Sequence, residues 1–159
     1  MNTLVAYFSA GGSTARLAQT LAAAADAGLY EIKPAVPYER RDLNWMDKKA
    51  RSTVEMQDLN CRPALADTAA PVARADVIFL GFPIWWYREP SIIDSFLEAY
   101  DFTGKTIVPF CTSGGSELGE GQGRIEALAG SAKVLRGRRF SARASERELK
   151  DWINSLRLA

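Results

Sequence analysis

The segment from Leu4 to Thr14 constrains the fold of this chain more than any other part of its sequence. The apolar run Leu4–Phe8 predicts a buried parallel strand. Three hydroxyl residues and two glycines follow within Ser9–Thr14, and a helical pattern begins directly after them. The N–H groups of such a loop and the positive end of the helix converge on one point, which suits a phosphate group. The alternative is an ordinary strand-to-helix turn with Ser13 or Thr14 as the helix N-cap.

The composition of this loop narrows the kind of phosphate ligand. No lysine follows the second glycine, as one does in ATP-binding loops. Gly11 and Gly12 are adjacent, whereas dinucleotide-binding loops space their glycines. Because the loop contains no lysine or arginine, neutral donors would hold the anion. This predicts a terminal monophosphate on a small cofactor rather than a triphosphate with magnesium.

Apolar runs and helical patterns alternate along the rest of the chain. Five strands interleaved with helices predict an α/β protein with a parallel sheet covered on both faces. Ligands of such sheets bind beyond the carboxyl ends of the strands, where the strand order reverses. The loops after the first, third and fourth strands are therefore the informative ones. Later strands are predicted at 29–33, 76–83, 106–111 and 132–135, and later helices at 90–100, 121–129 and 146–156, the last capped by Ser145.

A long polar segment, residues 34–71, separates the second and third strands. A short helix is predicted at 43–50, capped by Asp42 or Asn44, and Trp45 is expected to anchor the segment on the surface. A connection of this length is unusual inside a compact domain. Within residues 42–62, Asn44, Trp45, Arg51 and Arg62 would form either a lid near the ligand or a dimer contact. Alternatively, this part is a packed surface excursion, and the sequence leaves both open.

An aromatic loop follows the third strand. Trp85, Trp86 and Tyr87 are consecutive and lie between prolines, so their rings cannot all point into the core. A ring that faces outward suits stacking on a planar heterocycle, while the alternative is a loop pinned to the domain by Trp85. Arg88 is either a contact for an acidic substrate or one half of a surface ion pair with Glu89 or Asp94.

A second hydroxyl–glycine loop follows the fourth strand. Its residues, Thr112–Ser116, offer neutral N–H and hydroxyl donors that suit the polar edge of a flat ring. The alternative is again a turn that leads into a helix. Cys111, at the end of the apolar run before this loop, is predicted to be a small buried hydrophobe.

Charge and composition exclude several classes of function. With 20 basic and 19 acidic residues, the net charge is +1, so no global field favours nucleic acid. The chain has no histidine, which removes histidine-based triads and histidine–metal sites. No apolar run approaches the roughly 18 residues of a membrane span. No secretory signal is visible, so we expect a cytoplasmic protein without membrane partners.

Taken together, these segments resemble those of the flavodoxin-like FMN proteins. GFPIWWY and FCTSGGS follow the phosphate loop in the order and spacing typical of that family, and the resemblance runs from Leu4 to about Phe140. It implies a single flavodoxin-like domain over residues 1–159, with a three-layer, doubly wound sheet of order 2-1-3-4-5. It also implies FMN as the cofactor, and redox chemistry carried by the flavin.

The resemblance also assigns roles to residues. Ser9, Ala10, Gly11, Gly12, Ser13 and Thr14 would bind the phosphate of FMN; Pro83, Ile84, Trp85, Trp86 and Tyr87 would lie along the isoalloxazine ring; and Thr112, Ser113, Gly114 and Gly115 would lie along its other edge. The family loop is commonly S-x-T-G-N-T, whereas here Gly11 replaces the threonine and Ser13 the asparagine. One hydroxyl donor is lost, which weakens phosphate binding by roughly 1.5–3 kcal/mol before water compensates.

Three functions follow from this resemblance. The first is electron transfer through bound FMN to a redox partner protein. The second is two-electron reduction of a quinone or similar small-molecule acceptor by NAD(P)H, with a site often completed across a homodimer. Flavodoxin carriers are usually acidic, so the near-neutral charge weakens the first and favours the second or an unusual partner. Against the second, a single small domain shows no obvious nicotinamide site. The third is a module that retains the fold but binds FMN weakly or not at all.

Overall fold

A parallel sheet forms the centre of the protein, and its middle strands are buried because their residues are almost all apolar. The computed structural model describes residues 1–158. The strands pair in parallel in the order β2-β1-β3-β4-β5, which confirms the predicted fold class and strand order. Their bounds are β1 Thr3–Tyr7, β2 Gly28–Glu31, β3 Val77–Pro83, β4 Thr106–Thr112, β5 Lys133–Val134 and β6 Arg138–Arg139.

The fifth position of the sheet is shared by two short strands. β5 pairs with the start of β4, whereas β6 pairs with its end, where Phe110 is opposite Arg138 and Cys111 is opposite Arg139. The prediction of one strand at 132–135 was incomplete, since a strand of two residues is too short to show an alternating pattern. The second strand brings Arg139 to the carboxyl end of β4.

Helices cover both faces of the sheet, as the three-layer prediction requires. Alternate residues of β3 point to opposite faces, so Phe79 packs with helices α1 and α5, while Leu80 belongs to the core under α3 and α4. None of the helices within residues 1–158 is long and apolar enough to cross a membrane. Their bounds are α1 Ser13–Ala25, α2 Arg51–Gln57, α3 Ser91–Ala99, α4 Gly121–Leu128 and α5 Glu146–Leu156.

Two helix starts test the predicted caps. Ser145 Oγ accepts a hydrogen bond of 3.1 Å from the N–H of Glu148, which confirms Ser145 as the N-cap of α5. Helix α1 instead follows Gly12, whose left-handed φ of 96° suits a residue without a Cβ, and no side chain caps it. The alternative in which Ser13 or Thr14 is the N-cap of this helix is therefore wrong.

The helix predicted at 43–50 is also wrong. Asn44 and Asp47 accept hydrogen bonds on their side-chain oxygens from the N–H groups two residues later, at 3.2 and 2.9 Å. Such local bonds favour turns over helix. A 3-10 turn at Arg40–Leu43 and helix α2 flank this stretch instead.

Trp45 does not anchor the 34–71 segment, because 71% of it is exposed. The segment is held by Arg51 and Tyr38. The guanidinium of Arg51 lies 3.9 Å from the centre of the Tyr38 ring, and its Nε donates to Glu55 at 2.9 Å. The Tyr38 hydroxyl also donates to Glu55.

Cys111 is fully buried near the end of β4, as predicted. Burial raises the pKa of its thiol to about 12. Cys61 is partly exposed, and neither thiol forms a disulfide.

Candidate ligand-binding site

The loops after β1, β3 and β4 form one groove at the edge of the sheet where the strand order reverses. The groove consists of two adjoining cavities of about 400 and 520 Å³. Both have Leu43, Ile84, Trp85 and Ser113 in their walls. A groove of this size suits a small organic ligand.

Most of the predicted site residues line this groove. Gly12 and Gly115 line neither cavity, and their N–H groups donate to Ser9 Oγ at 3.1 Å and Ser113 Oγ at 3.3 Å. The first cavity, which we call the hydroxyl-lined cavity, is lined by these predicted residues: Ser9, Ala10, Gly11, Ser13, Thr14, Pro83, Ile84, Trp85, Thr112 and Ser113. The second cavity, which we call the aromatic cavity, is lined by these predicted residues: Ile84, Trp85, Trp86, Tyr87, Ser113 and Gly114.

A buried pair of hydroxyls fixes the floor of the hydroxyl-lined cavity. The side-chain oxygens of Thr14 and Thr112 lie 2.8 Å apart, and the two residues are 1% and 7% exposed. This bond ties the start of α1 to the end of β4. Sequence reasoning placed Thr14 at the phosphate and Thr112 at the ring, because nothing in the sequence indicates that residues so far apart are paired.

The hydroxyl-lined cavity also contains a cation that the sequence did not assign to the site. Arg139 lines it together with Ser141 and Ala142. The Nε and Nη2 of Arg139 donate to the carbonyl oxygen of Ser113 at 3.2 and 3.0 Å. An anion in this cavity therefore meets a guanidinium as well as the neutral donors of the loop. The sequence signal was a run of basic residues, interpreted either as solvated surface charges or as a landing site for an acidic partner or an anionic cosubstrate: Lys133, Arg136, Arg138, Arg139 and Arg143.

The three rings of the aromatic loop have different environments. Trp85 packs edge-on against Phe8 and Tyr38, with ring centres 5.6 and 5.4 Å away. Trp86 and Tyr87 are 39% and 72% exposed. One ring is thus fixed in the fold, and two face the groove and solvent. From the 34–71 segment, Trp45, one of the residues considered for a lid or a dimer contact, lines the same cavity.

Backbone strain marks the aromatic loop. Trp85 and Arg88 exchange both backbone hydrogen bonds, at 3.0 and 3.2 Å, so Trp86 and Tyr87 are the central residues of a tight turn. Their φ angles are positive, 46° and 68°. Turns of this kind favour Asn-Gly, and a left-handed residue other than glycine costs about 1–2 kcal/mol. Residues 85–88 are called the strained turn below.

Helix α4 and the loop before it support the strained turn. The carbonyl oxygen of Tyr87 accepts a hydrogen bond of 3.0 Å from the N–H of Glu120. A Cβ on Gly119 would lie only 2.4 Å from that oxygen, so only glycine fits there. Gly119 therefore permits the close approach that holds the turn.

Arg88 is the last residue of the strained turn, and it is only 2% exposed, so the alternative in which it contacts an acidic substrate is wrong. Its expected partners are correct but buried: Nη1 lies 3.7 Å from Glu89 and 3.6 Å from Asp94. Arg124 contacts the same carboxylates at 3.0 and 2.6 Å. Burial, followed by the neighbouring Asp94, raises the pKa of Glu89 to about 8.

The donor set of the groove fits an organic anion rather than a metal ion. No group of three or more Cys, Asp or Glu side chains within residues 1–158 is arranged to hold a metal. The groove instead offers hydroxyls, N–H groups and one guanidinium at one end, and aromatic walls at the other. Fold and groove thus define a doubly wound α/β protein with an anion cradle beside an aromatic cavity.

The family follows from a comparison of sequences. The model of the flavodoxin family matches residues 2–156, and the chain therefore belongs to the flavodoxin family. This confirms the resemblance of the loop motifs. No curated protein matches the chain in sequence.

Solved structures agree with this assignment. The chain is 41% identical to a protein from Bacteroides eggerthii that is assigned as a flavoprotein, with a TM-score of 0.93 and 99% of each chain covered. It is 45% identical to a similarly assigned protein from Bacteroides uniformis, with a TM-score of 0.91 and coverage of 96% of this chain and 97% of that one. A flavoprotein from Lactobacillus acidophilus in complex with FMN shares the fold at 20% identity, with a TM-score of 0.74 and coverage of 96% and 98%.

Proposed function

We propose that this chain binds FMN in the groove and transfers electrons through it. The observation that carries the proposal is the chemical difference between the two adjoining cavities. One offers donors for an anion at the N-terminus of α1, and the other offers aromatic walls. FMN has a phosphate at one end and a flat ring at the other, so its two ends match the two cavities.

The fit can be stated residue by residue. Ser9, Ser13 and the loop N–H groups would hold the phosphate. Trp86 and Tyr87 would lie against the isoalloxazine ring, with the 113–115 loop at its edge. Flavoprotein relatives at 41% and 45% identity support this assignment, as does the fold shared with an FMN complex.

Bound FMN would supply the redox chemistry, because it accepts and donates electrons. The chain's own residues would bind it and tune it. The aromatic faces of Trp86 and Tyr87 disfavour added negative charge beside them and keep water away from the ring. The Thr14–Thr112 pair and the packed Trp85 hold the groove in a fixed geometry before the ligand arrives.

The direct test is flavin binding by the purified protein. Protein stripped of flavin is titrated with FMN, and quenching of flavin fluorescence is followed. We expect saturable binding that weakens in Trp86→Ala and is unchanged in Val54→Ala, whose exposed side chain lines neither cavity. A wild-type protein that does not bind FMN would contradict the proposal and favour a module that has lost its cofactor.

A second candidate is an NAD(P)H-dependent reductase of a planar small molecule such as a quinone. The aromatic cavity favours it, because Trp45 and Tyr87 are 71% and 72% exposed beside the proposed ring site. The net charge of +1 also lacks the acidity that steers carriers to basic partners. Anaerobic stopped-flow mixing with NADH or NADPH separates the two: direct bleaching of the flavin supports the reductase, and bleaching only with a partner reductase supports the carrier.

A further inference from the structure

The guanidinium of Arg139 is an unneutralised charge in the wall of the hydroxyl-lined cavity. Among the residues that the structure describes, no carboxylate lies within 4.0 Å of it. The carboxylate of Glu117 accepts the backbone N–H of Arg139 at 3.0 Å, not its side chain. A half-buried charge without a counterion is unfavourable, and an anionic ligand in the cavity would offset that cost.

The position of this side chain is fixed by the fold. β6 sets Arg139 opposite Cys111, one residue before Thr112. Its Nε and Nη2 donate to the Ser113 carbonyl, and Nη1 makes no hydrogen bond to residues 1–158. The guanidinium is thus held in place with donors still available. Arginine is well suited to phosphate because its planar fork presents several N–H groups together.

From this geometry we infer that Arg139 binds the phosphate of the flavin and makes the site selective for FMN over riboflavin. This rests on the function proposed above. Gly11 offers no side-chain donor, so the loop alone is a weak cradle, and Arg139 supplies the charge that the loop lacks. Arg139 also donates to the carbonyl of Ser113, a residue that lines both cavities. The Arg139 side chain would therefore connect the bound phosphate to the loop beside the ring.

The test compares two ligands that differ only in the phosphate. FMN and riboflavin are titrated into the wild type, Arg139→Gln, Arg139→Lys and the control Arg138→Gln. The control removes a neighbouring exposed guanidinium that stacks on Phe140 at 4.9 Å and lines a different cavity. We expect Arg139→Gln to weaken FMN binding about 10- to 100-fold and riboflavin binding less than about 3-fold. Arg139→Lys is expected between these limits, and the control near wild type.

Other outcomes overturn the inference. Equal weakening of both flavins in Arg139→Gln would mean that Arg139 only supports the Ser113 loop, and an unchanged FMN affinity would mean that it contacts no phosphate. A wild-type protein that binds flavins without preferring FMN refutes this inference alone, whereas one that binds neither also refutes the proposed function. If Arg139→Gln does not fold, salt dependence decides: wild-type affinity for FMN must fall between 50 and 500 mM KCl while affinity for riboflavin does not.

Discussion

The strained turn predicts that Tyr87 can be replaced by glycine with a gain in stability. At φ 68°, tyrosine costs about 1–2 kcal/mol in the left-handed region, whereas glycine does not. Glycine loses about 0.5–1 kcal/mol more chain entropy on folding. The side chain is 72% exposed, so little packing is lost. We therefore expect Tyr87→Gly to raise the free energy of unfolding by about 0.5–1 kcal/mol.

Tyr87→Ala is the matched control, because it removes the same ring but keeps a Cβ in the left-handed conformation. We expect it to be about 1 kcal/mol less stable than Tyr87→Gly. Urea denaturation at constant m-value measures the difference, and the two melting temperatures should differ by about 2–4 °C. An alanine variant as stable as the glycine variant would refute the argument from strain.

Both variants remove a ring from the aromatic cavity. If FMN binds there, both should lose affinity to a similar extent, although one is more stable than the wild type and the other is not. Proteins often keep a strained backbone conformation at a binding site, because the loss in stability is offset by a gain in function. An FMN affinity that followed stability instead would mean that the ring of Tyr87 has no role in binding.

Three further predictions concern the surroundings of the groove. Gly119→Ala should destabilise the protein by about 2 kcal/mol, because the added Cβ meets the carbonyl oxygen of Tyr87 in the strained turn. Gly114→Ala has open space around it and should change stability little. Thermal denaturation of both variants distinguishes the clash at Gly119 from a general effect of replacing loop glycines. The pKa of Glu89 is raised from 4.5 to about 8 in the folded state, so between these pH values the folded protein keeps a proton that the unfolded chain releases. The free energy of unfolding should therefore fall by up to about 1.4 kcal/mol per pH unit as the pH rises from about 4.5 to about 8. Glu89→Gln should flatten that slope in urea titrations between pH 5 and 8, and an unchanged slope would contradict the assignment. Thr112→Val should lower the free energy of unfolding by about 1–3 kcal/mol, because it leaves the Thr14 hydroxyl buried without a partner. In a double-mutant cycle, adding Thr14→Val should recover much of that loss. Strictly additive losses would contradict an interaction between the two hydroxyls.

The fold was predictable because its signals are local and repeated. The apolar runs of β1, β3 and β4 and the stripes of α1, α3 and α5 specify a buried parallel sheet with helices on both faces. Ser145 is predictable as an N-cap for the same reason, because its side chain accepts a hydrogen bond from a residue only three positions later. These elements carry their own periodicity, and tertiary packing reinforces it.

The parts that could not be predicted depend on contacts between distant residues. Arg139 reaches the groove through a two-residue strand, and Arg88 is buried beside the carboxylates of Glu89 and Asp94, which offset its charge. Trp45 and its neighbours form turns because the side-chain oxygen of Asn44 accepts a hydrogen bond from the backbone N–H of Met46, which a helical pattern does not reveal. In each case the sequence identifies the residue type but not the surroundings in which its side chain lies.

The burial of Cys111 has a chemical consequence if the groove holds a flavin, as proposed above. Reduced flavins react with oxygen and can release peroxide, and the thiolate form of cysteine attacks peroxide and becomes oxidised. Because burial raises the pKa of the Cys111 thiol, the thiol stays protonated at neutral pH. A sulfur atom one residue from the groove is therefore protected from the oxidants that the proposed cofactor would generate.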